Sequence, residues 1–290
     1  MTPPYALGSS DREHRRLMAQ ARILRPWTER FLRLGGLRPG MSVLDLGSGI
    51  GDVSLPAAEI VGPRGRVLGL DRDPLIAEKA RARAAREGLA DVVRFEVADL
   101  QEFTAPRQFD AVIGRYVLLF QRDPAAALRR FVDCVRPGGT VVFHDFDVTN
   151  ASPSWPKCPV WEGSYRLLSD VLRVTGATPD IGRQLSRCFM DARLPHPVVE
   201  SLTPVASAPG SPLLDWIAGT LQSLEPMNLR YGFPVPPEAG LDDPDALVDT
   251  WEKAMPAEGS QWLGPVQYGA WARVPRSTGA APLGLGPQLP

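Results

Sequence analysis

The chain has 290 residues, is 44% hydrophobic and 22% charged, and carries a formal net charge of −1. That is the profile of one large or two small soluble domains. It gives no support for nucleic acid as a partner, and no apolar run approaches the roughly 18–20 residues of a membrane span. Met1-Thr2-Pro3-Pro4-Tyr5 lacks the basic and apolar regions of a signal peptide. Cys134, Cys158 and Cys188 are odd in number and scattered. They read as reduced thiols in a cytoplasmic protein, not as a disulfide frame or zinc site.

In chain order, Ser10-Asp11-Arg12-Glu13 fits a capping box that opens a helix to about Leu24. Pro26 then opens a second helix to about Leu34, ended by Gly35-Gly36. Ser42–Leu46 is the first strand, and a glycine-rich loop follows. Pro56 is tolerated only in a first turn, so the next helix begins near Ser54 or Leu55. Arg66–Leu70 is the second strand, Asp73-Pro74 starts a helix to Arg86 stopped by Gly88, and Val92–Val97 is the third strand. Phe109–Ile113 is the fourth. Asp123-Pro124 opens a helix through Val135, Arg136-Pro137-Gly138-Gly139 is a tight turn, and Thr140–Phe143 is the fifth strand.

Of 30 prolines, 20 lie beyond Asn150, as do six of seven tryptophans, which marks a change of character there. Trp161–Val174, Ile181–Ala192, Pro212–Leu224 and Pro244–Met255 read as helices. Pro197–Val205 and Val266–Val274 read as a sixth and a seventh strand, and the Gly/Pro-rich stretch from Pro275 as a disordered tail. The expected architecture is α/β: a Rossmann-like, seven-stranded, mostly parallel sheet with helices on both faces. We expect one domain over 1–274, with a helical cover (1–36), a core (37–147) and lid helices with the last two strands (148–274).

The chemistry centres on Val43-Leu44-Asp45-Leu46-Gly47-Ser48-Gly49-Ile50-Gly51-Asp52. A buried strand ends in glycines that let a ligand approach the main chain at a helix N-terminus. The dinucleotide fingerprint is G-x-G-x-x-G. Here the spacing is G-x-G-x-G, and Asp52 would sit badly beside a pyrophosphate. Gly47, Asp71, Asp99, Arg115 and His144 all fall just beyond strand ends, where open α/β sheets bind ligands.

At these residues the chain resembles the class I S-adenosylmethionine-dependent methyltransferases. Val43–Asp52 matches their first motif, Gly69-Leu70-Asp71-Arg72-Asp73-Pro74 the second and Val97-Ala98-Asp99-Leu100 the third. Phe109-Asp110-Ala111-Val112 and Arg136-Pro137-Gly138-Gly139 match two later motifs. Within the family it is most similar to the broad bacterial branch that includes quinone-biosynthesis enzymes.

The resemblance implies S-adenosyl-L-methionine as cofactor. Asp71, with Arg72 beside it, would hold the ribose hydroxyls, and Asp99, with Leu100, the adenine amino group. Asp45 would reach the methionine amino group through water, beside the Gly47, Ser48, Gly49 and Gly51 turn. The Arg115 carbonyl would face the same amino group, or its side chain would pair with an acid such as Asp45. Tyr5 and Gln20 would line the N-terminal cover over the cofactor. His144 is the candidate base for a substrate proton; His14 and His196 read as structural or exposed. Ile113-Gly114-Arg115 stands where catechol-type members carry a magnesium-binding acid, so no metal is expected.

In the C-terminal part, Trp155, Trp161, Tyr165, Trp216, Tyr231, Phe233, Trp251 and Trp262 are expected chiefly to pack the insertion, with some lining an apolar acceptor pocket. The reading is transfer of a methyl group to a small, partly apolar or aromatic molecule, with homodimerisation left open. The alternatives are a cyclase or decarboxylase that keeps the methyl group, an NAD(P)-dependent oxidoreductase, and a non-catalytic binding subunit.

Overall fold

The computed structural model describes residues 11–105, 108–149, 153–233, 244–255 and 259–276. The Ser10 cap, Tyr5 and the stretch from residue 277 lie outside them. The sheet begins with β1 (Ser42–Leu46), an apolar strand interrupted only by Asp45. α2 (Ser54–Val61) follows the glycine loop and carries Pro56 in its first turn, where the missing N–H costs no helix bond. β2 (Arg66–Asp71) leads into α3 (Pro74–Arg86), whose N-cap Asp73 accepts from Leu75 N at 2.8 Å. β3 (Val93–Val97), β4 (Phe109–Arg115), α4 (Pro124–Val132) and β5 (Val135–Asp147) complete the first part.

Beyond it come β6 (Ser154–Trp155), α5 (Pro159–Val174), α6 (Ile181–Asp191), β7 (Val198–Leu202) and β8 (Val205–Ala206). The last elements are α7 (Pro212–Tyr231), α8 (Pro244–Ala254), β9 (Gln261–Leu263) and β10 (Val266–Arg273).

The seven-stranded sheet has the order β3-β2-β1-β4-β5-β10-β7. β10 runs antiparallel to both its neighbours, while the first five strands are parallel. The order reverses at β1 and β4, which opens a crevice at their carboxyl ends. Successive residues of β1 serve opposite faces, as the strand period requires. Leu44 and Leu46 join Val112, Phe143, α4 and α6 on one side; Val43 joins Ile113, Val142, α2 and α3 on the other.

The helix before β1 departs from expectation. Where two helices meeting at Pro26 were expected, α1 runs unbroken from Asp11 to Leu34. An interior proline costs roughly 3 kcal/mol. Burial of one large side chain returns about 1.5–3 kcal/mol, and Phe31 is fully buried on the sheet. Its ring lies where a Cβ on Gly269 of β10 would stand, so only glycine admits this close approach.

Arg136-Pro137-Gly138-Gly139 is likewise part of β5 and not a turn. The β4–β5 register slips between Phe109 and Ala111, and just past the end of β10 Gly138 N donates to Val274 O and Val274 N to Gly139 O, at 2.9 Å each. Those bonds tie the stretch to the sheet as a bulge: Val135 faces Phe109 and Thr140 faces Ala111, with Gly138 at φ 78°. α4 stops at Val132 as a result, three residues before the expected end.

The stretch expected as one sixth strand divides into β7 and β8, and α7 continues to Tyr231. A second, three-stranded sheet, β6-β9-β8, joins strands of two or three residues that periodicity does not reveal. It sits with a buried cluster of Trp161, Trp251 and Trp262, ring centroids 5.0 and 5.2 Å apart.

Candidate active site

The glycine loop leaves β1 through Gly47, Gly49 and Gly51, with φ of 62°, 53° and 91°. At Gly49 a Cβ would meet nothing within 4 Å, so here the backbone is open to a ligand. Ser48 is buried and its N–H donates to Leu70 O at 2.8 Å, tying the loop to β2.

Asp71 ends β2 beside that loop. One carboxylate oxygen accepts from Gly49 N at 2.9 Å and the other from Asp73 N at 3.0 Å. A carboxylate has about four lone-pair sites, so capacity for a vicinal diol remains. Burial raises its pKa above the ordinary carboxylate value, against these bonds. Arg72 next to it is exposed. Asp99 is exposed after β3 and accepts from Gln101 N at 2.7 Å, with Leu100 half-buried and Val97 49% exposed alongside.

Asp45 is wholly buried under the loop. One oxygen accepts from the Ser54 hydroxyl at 2.5 Å; the other, Oδ1, has no hydrogen-bond partner. Burial pushes its pKa up to about 7, opposed by Ser54 and Arg115. An orphaned acceptor beneath an open backbone cradle is what a cationic ligand group would complete.

Arg115, at the end of β4, is the second buried charge. Its guanidinium donates to Asp52 Oδ2 and to Thr28 Oγ1, each at 3.2 Å. Arg83 from α3 closes on the same Asp52 at 2.5 Å. The arginine therefore pairs with Asp52 and acts on Asp45 only through space. This also revises the expected part of Asp52. Its charge is buried between two arginines and is not the one a ligand at the open loop would meet. The buried pairs fix the loop's position more than they add stability.

His144, in β5, is opposite Arg115 in the ladder and buried. Nε2 lies 3.1 Å from Gln267 Oε1 and Nδ1 3.5 Å from Thr28 Oγ1, and the Phe31 ring meets it edge-on at 5.0 Å. Burial, then Arg115, lowers its pKa to about 3. Both ring nitrogens have protein partners, so the geometry gives His144 a scaffold role and not that of the expected base.

A cavity opens at the carboxyl ends of β4 and β5, enclosing about 590 Å3 with its solvent-open mouth. Gln20 of α1, Tyr116 and Phe146 line it from the sheet side, and Leu168, Leu172, Trp216, Ile217 and Leu224 from α5 and α7. Gln20 is buried and accepts from Trp216 Nε1 at 3.2 Å, joining the N-terminal cover to the lid. Of the aromatic residues expected near a pocket, Trp216 lines this one. Tyr165 is bonded to Leu263 O at 2.7 Å, and Trp155 and Tyr231 are exposed.

Sequence reasoning missed Tyr116, Phe146, Thr28 and Gln267. The available signal for Tyr116 was its place directly after Arg115. Its φ of 59°, rare for a non-glycine residue, is visible only in the structure.

Comparison with known proteins points to the same family as the motifs. A methyltransferase-domain family model matches residues 37–172. The match takes in 136 of the 290 residues, those that carry the glycine loop, Asp71, Asp99 and Arg115. The chain is 37% identical over 119 residues to the aklanonic acid methyltransferase of a Streptomyces species, covering 41% of this chain and 54% of that one. It is 33% identical over 123 residues to the ubiquinone/menaquinone biosynthesis C-methyltransferase of Ectopseudomonas mendocina, covering 42% and 48%. The chain thus spans about half the length of these curated relatives. A putative methyltransferase from Bacillus halodurans shares the methyltransferase fold, with a TM-score of 0.57 at 14% identity over 86% of this chain and 98% of that one. Among the described residues, no helix is long and apolar enough to cross a membrane.

Proposed function

We propose that this methyltransferase domain transfers a methyl group from S-adenosylmethionine to a small, partly apolar or aromatic acceptor. The observation that carries the reading is the contact between two regions at consecutive residues. The Arg115 side chain is held by Asp52 of the glycine loop, and Tyr116 lines the apolar cavity. A donor in the loop and an acceptor in the cavity would meet at the end of β4. The names of the relatives, which concern aklanonic acid and the biosynthesis of ubiquinone and menaquinone, support a small-molecule acceptor.

The chain's residues fit the cofactor. Gly49 leaves its backbone open, Asp71 offers a carboxylate to the ribose diol, and Asp99 with Leu100 and Val97 offers an acceptor beside apolar surface for adenine. Asp45 Oδ1, with the Arg115 carbonyl, would take the methionine ammonium. The cofactor supplies an electrophilic methyl carbon on a sulfonium. What the chain must do is align the acceptor in line with that carbon and keep water out, and such positioning contributes on the order of 7–11 kcal/mol. The apolar cavity walls from α5 and α7 serve the second need. In a cavity of this kind, an acceptor whose lone pair or carbanion is already available needs no base.

The test is incubation with methyl-labelled S-adenosylmethionine and a panel of hydroxylated aromatic acids and quinols, read by product mass. Label in a product whose formation stops in Asp71→Ala supports the reading. A product altered without label would replace it with the cyclase or decarboxylase alternative.

A further inference from the structure

One chain of hydrogen bonds runs between the glycine loop and the acceptor cavity, and its direction can be assigned throughout. Gln267, fully buried on β10, donates its Nε2 to Pro265 O at 2.8 Å. A carbonyl can only accept, so this bond fixes the amide orientation and turns Oε1 toward Tyr116 and His144. The Tyr116 hydroxyl lies 2.6 Å from that oxygen and His144 Nε2 3.1 Å. Both must therefore donate to it. With its proton on Nε2, His144 accepts at Nδ1 from the Thr28 hydroxyl, and Thr28 in turn accepts from Arg115. Arg115 also donates to Asp52.

The consequence falls on the cavity. A phenol has one proton to give, and that of Tyr116 is committed to Gln267. Toward a ligand its oxygen is an acceptor. Thr220, the other hydroxyl on the cavity wall, donates to Trp216 O at 2.8 Å within α7 and is in the same condition. Tyr116 is also the residue held at φ 59°, with its ring against Phe146 at 4.8 Å, so its position is set by backbone and packing together.

We propose that Tyr116 determines acceptor specificity, its hydroxyl oxygen receiving a hydrogen bond from an O–H or N–H group on an otherwise apolar acceptor. This rests on the reading of the cavity as the acceptor site, and it narrows that reading to molecules that carry a donor. Gln267, His144 and Thr28 are positioning residues for it. Ligands of equal bulk that can only accept at that point, such as methyl ethers, meet a lone pair with a lone pair. A finished methyl ether thereby loses the contact its parent hydroxyl made.

The experiment measures binding of naphthol, methoxynaphthalene and methylnaphthalene by calorimetry, in the presence of S-adenosylhomocysteine, to the wild-type protein and to Tyr116→Phe. A hydrogen bond in such a setting is worth about fivefold to tenfold in affinity. Naphthol should bind the wild type about that much more tightly than the other two, and the advantage should vanish in Tyr116→Phe with methylnaphthalene binding unchanged. Unchanged S-adenosylhomocysteine affinity shows the variant to be folded. Equal affinities in the wild type, or a naphthol advantage that survives in Tyr116→Phe, overturns the inference and leaves the acceptor cavity standing. Failure of all three probes to bind, or binding that Ile217→Trp does not obstruct, overturns the acceptor cavity and this inference with it.

Discussion

Asp71 offers the sharpest perturbation of the cofactor site. Its carboxylate is oriented before any ligand arrives by Gly49 N and Asp73 N, at 2.9 and 3.0 Å. Asp71→Ala removes that orientation and the acceptors for a ribose diol. A hydrogen bond to a charged group contributes roughly 1.5–3 kcal/mol. Two such bonds give ~3–6 kcal/mol, which at 1.4 kcal/mol per factor of ten is a loss of about a hundredfold to ten-thousandfold.

Asp71→Asn keeps the shape. One of its two ends becomes an NH2 group, which faces a backbone N–H donor and loses roughly half of the effect. The two orphaned N–H groups lie at a half-exposed loop where water can reach them, so the fold should persist with a melting temperature lowered by a few degrees. Calorimetric titration with S-adenosylhomocysteine reads the affinity, and circular dichroism the fold. An Asp71→Ala protein that is folded and binds with wild-type affinity would refute the reasoning.

Three further outcomes follow from the buried charges. Asp45 titrates near 7 and would face a cationic ligand, so S-adenosylmethionine affinity should rise about tenfold from pH 5.5 to 7, with proton release; Asp45→Asn should flatten that dependence in calorimetry across buffers. For stability the sign is opposite. A raised carboxyl pKa means the native state holds more protons between the ordinary value near 4 and about 7, so Asp45's contribution is lost as pH rises through about 7. His144, lowered to about 3, should stay neutral by NMR down to about pH 4. As its depressed pKa requires, its contribution to stability should be present above about pH 6.5 and fall toward pH 3; a ring that titrates near 6.5 would contradict the burial described. Asp52→Asn leaves the Arg115 guanidinium buried without its counter-ion and should cost roughly 3–5 kcal/mol in urea unfolding; a loss below about 1 kcal/mol would show that water or another group replaces the acid.

What was legible in the sequence was what is local. The run Val43–Asp52, the Asp73-Pro74 and Asp123-Pro124 helix starts and the alternating strands each carry their structural cause within a few residues, and they appear where the pattern puts them. The failures share the opposite property. Pro26 and the Arg136–Gly139 stretch are strong local breakers, overruled by packing on Gly269 and by ladder bonds to Val274. β6, β8 and β9 are too short to show a period.

At the site, Asp71 and Asp99 are proposed as cofactor residues because family motifs mark them. The Asp52 pairings could not be read in this way, since Arg83 and Arg115 arrive from 31 and 63 residues away. The link from Tyr116 to Gln267 spans 151 residues. His144 shows how a residue type can mislead. An imidazole at a strand end suggests a base, but whether it can act as one depends on Thr28, Gln267 and Arg115, none of which is near it in the chain.

We propose the loop after β1, with Asp71 and Asp99, as the cofactor site. Amide hydrogen exchange with and without S-adenosylhomocysteine tests it most directly. Exchange should slow at Gly47–Val53, Asp71–Asp73 and Asp99–Gln101, with no change in the edge strand Val198–Leu202. Protection absent from the glycine loop, or reproduced there by NAD in place of S-adenosylhomocysteine, would contradict it.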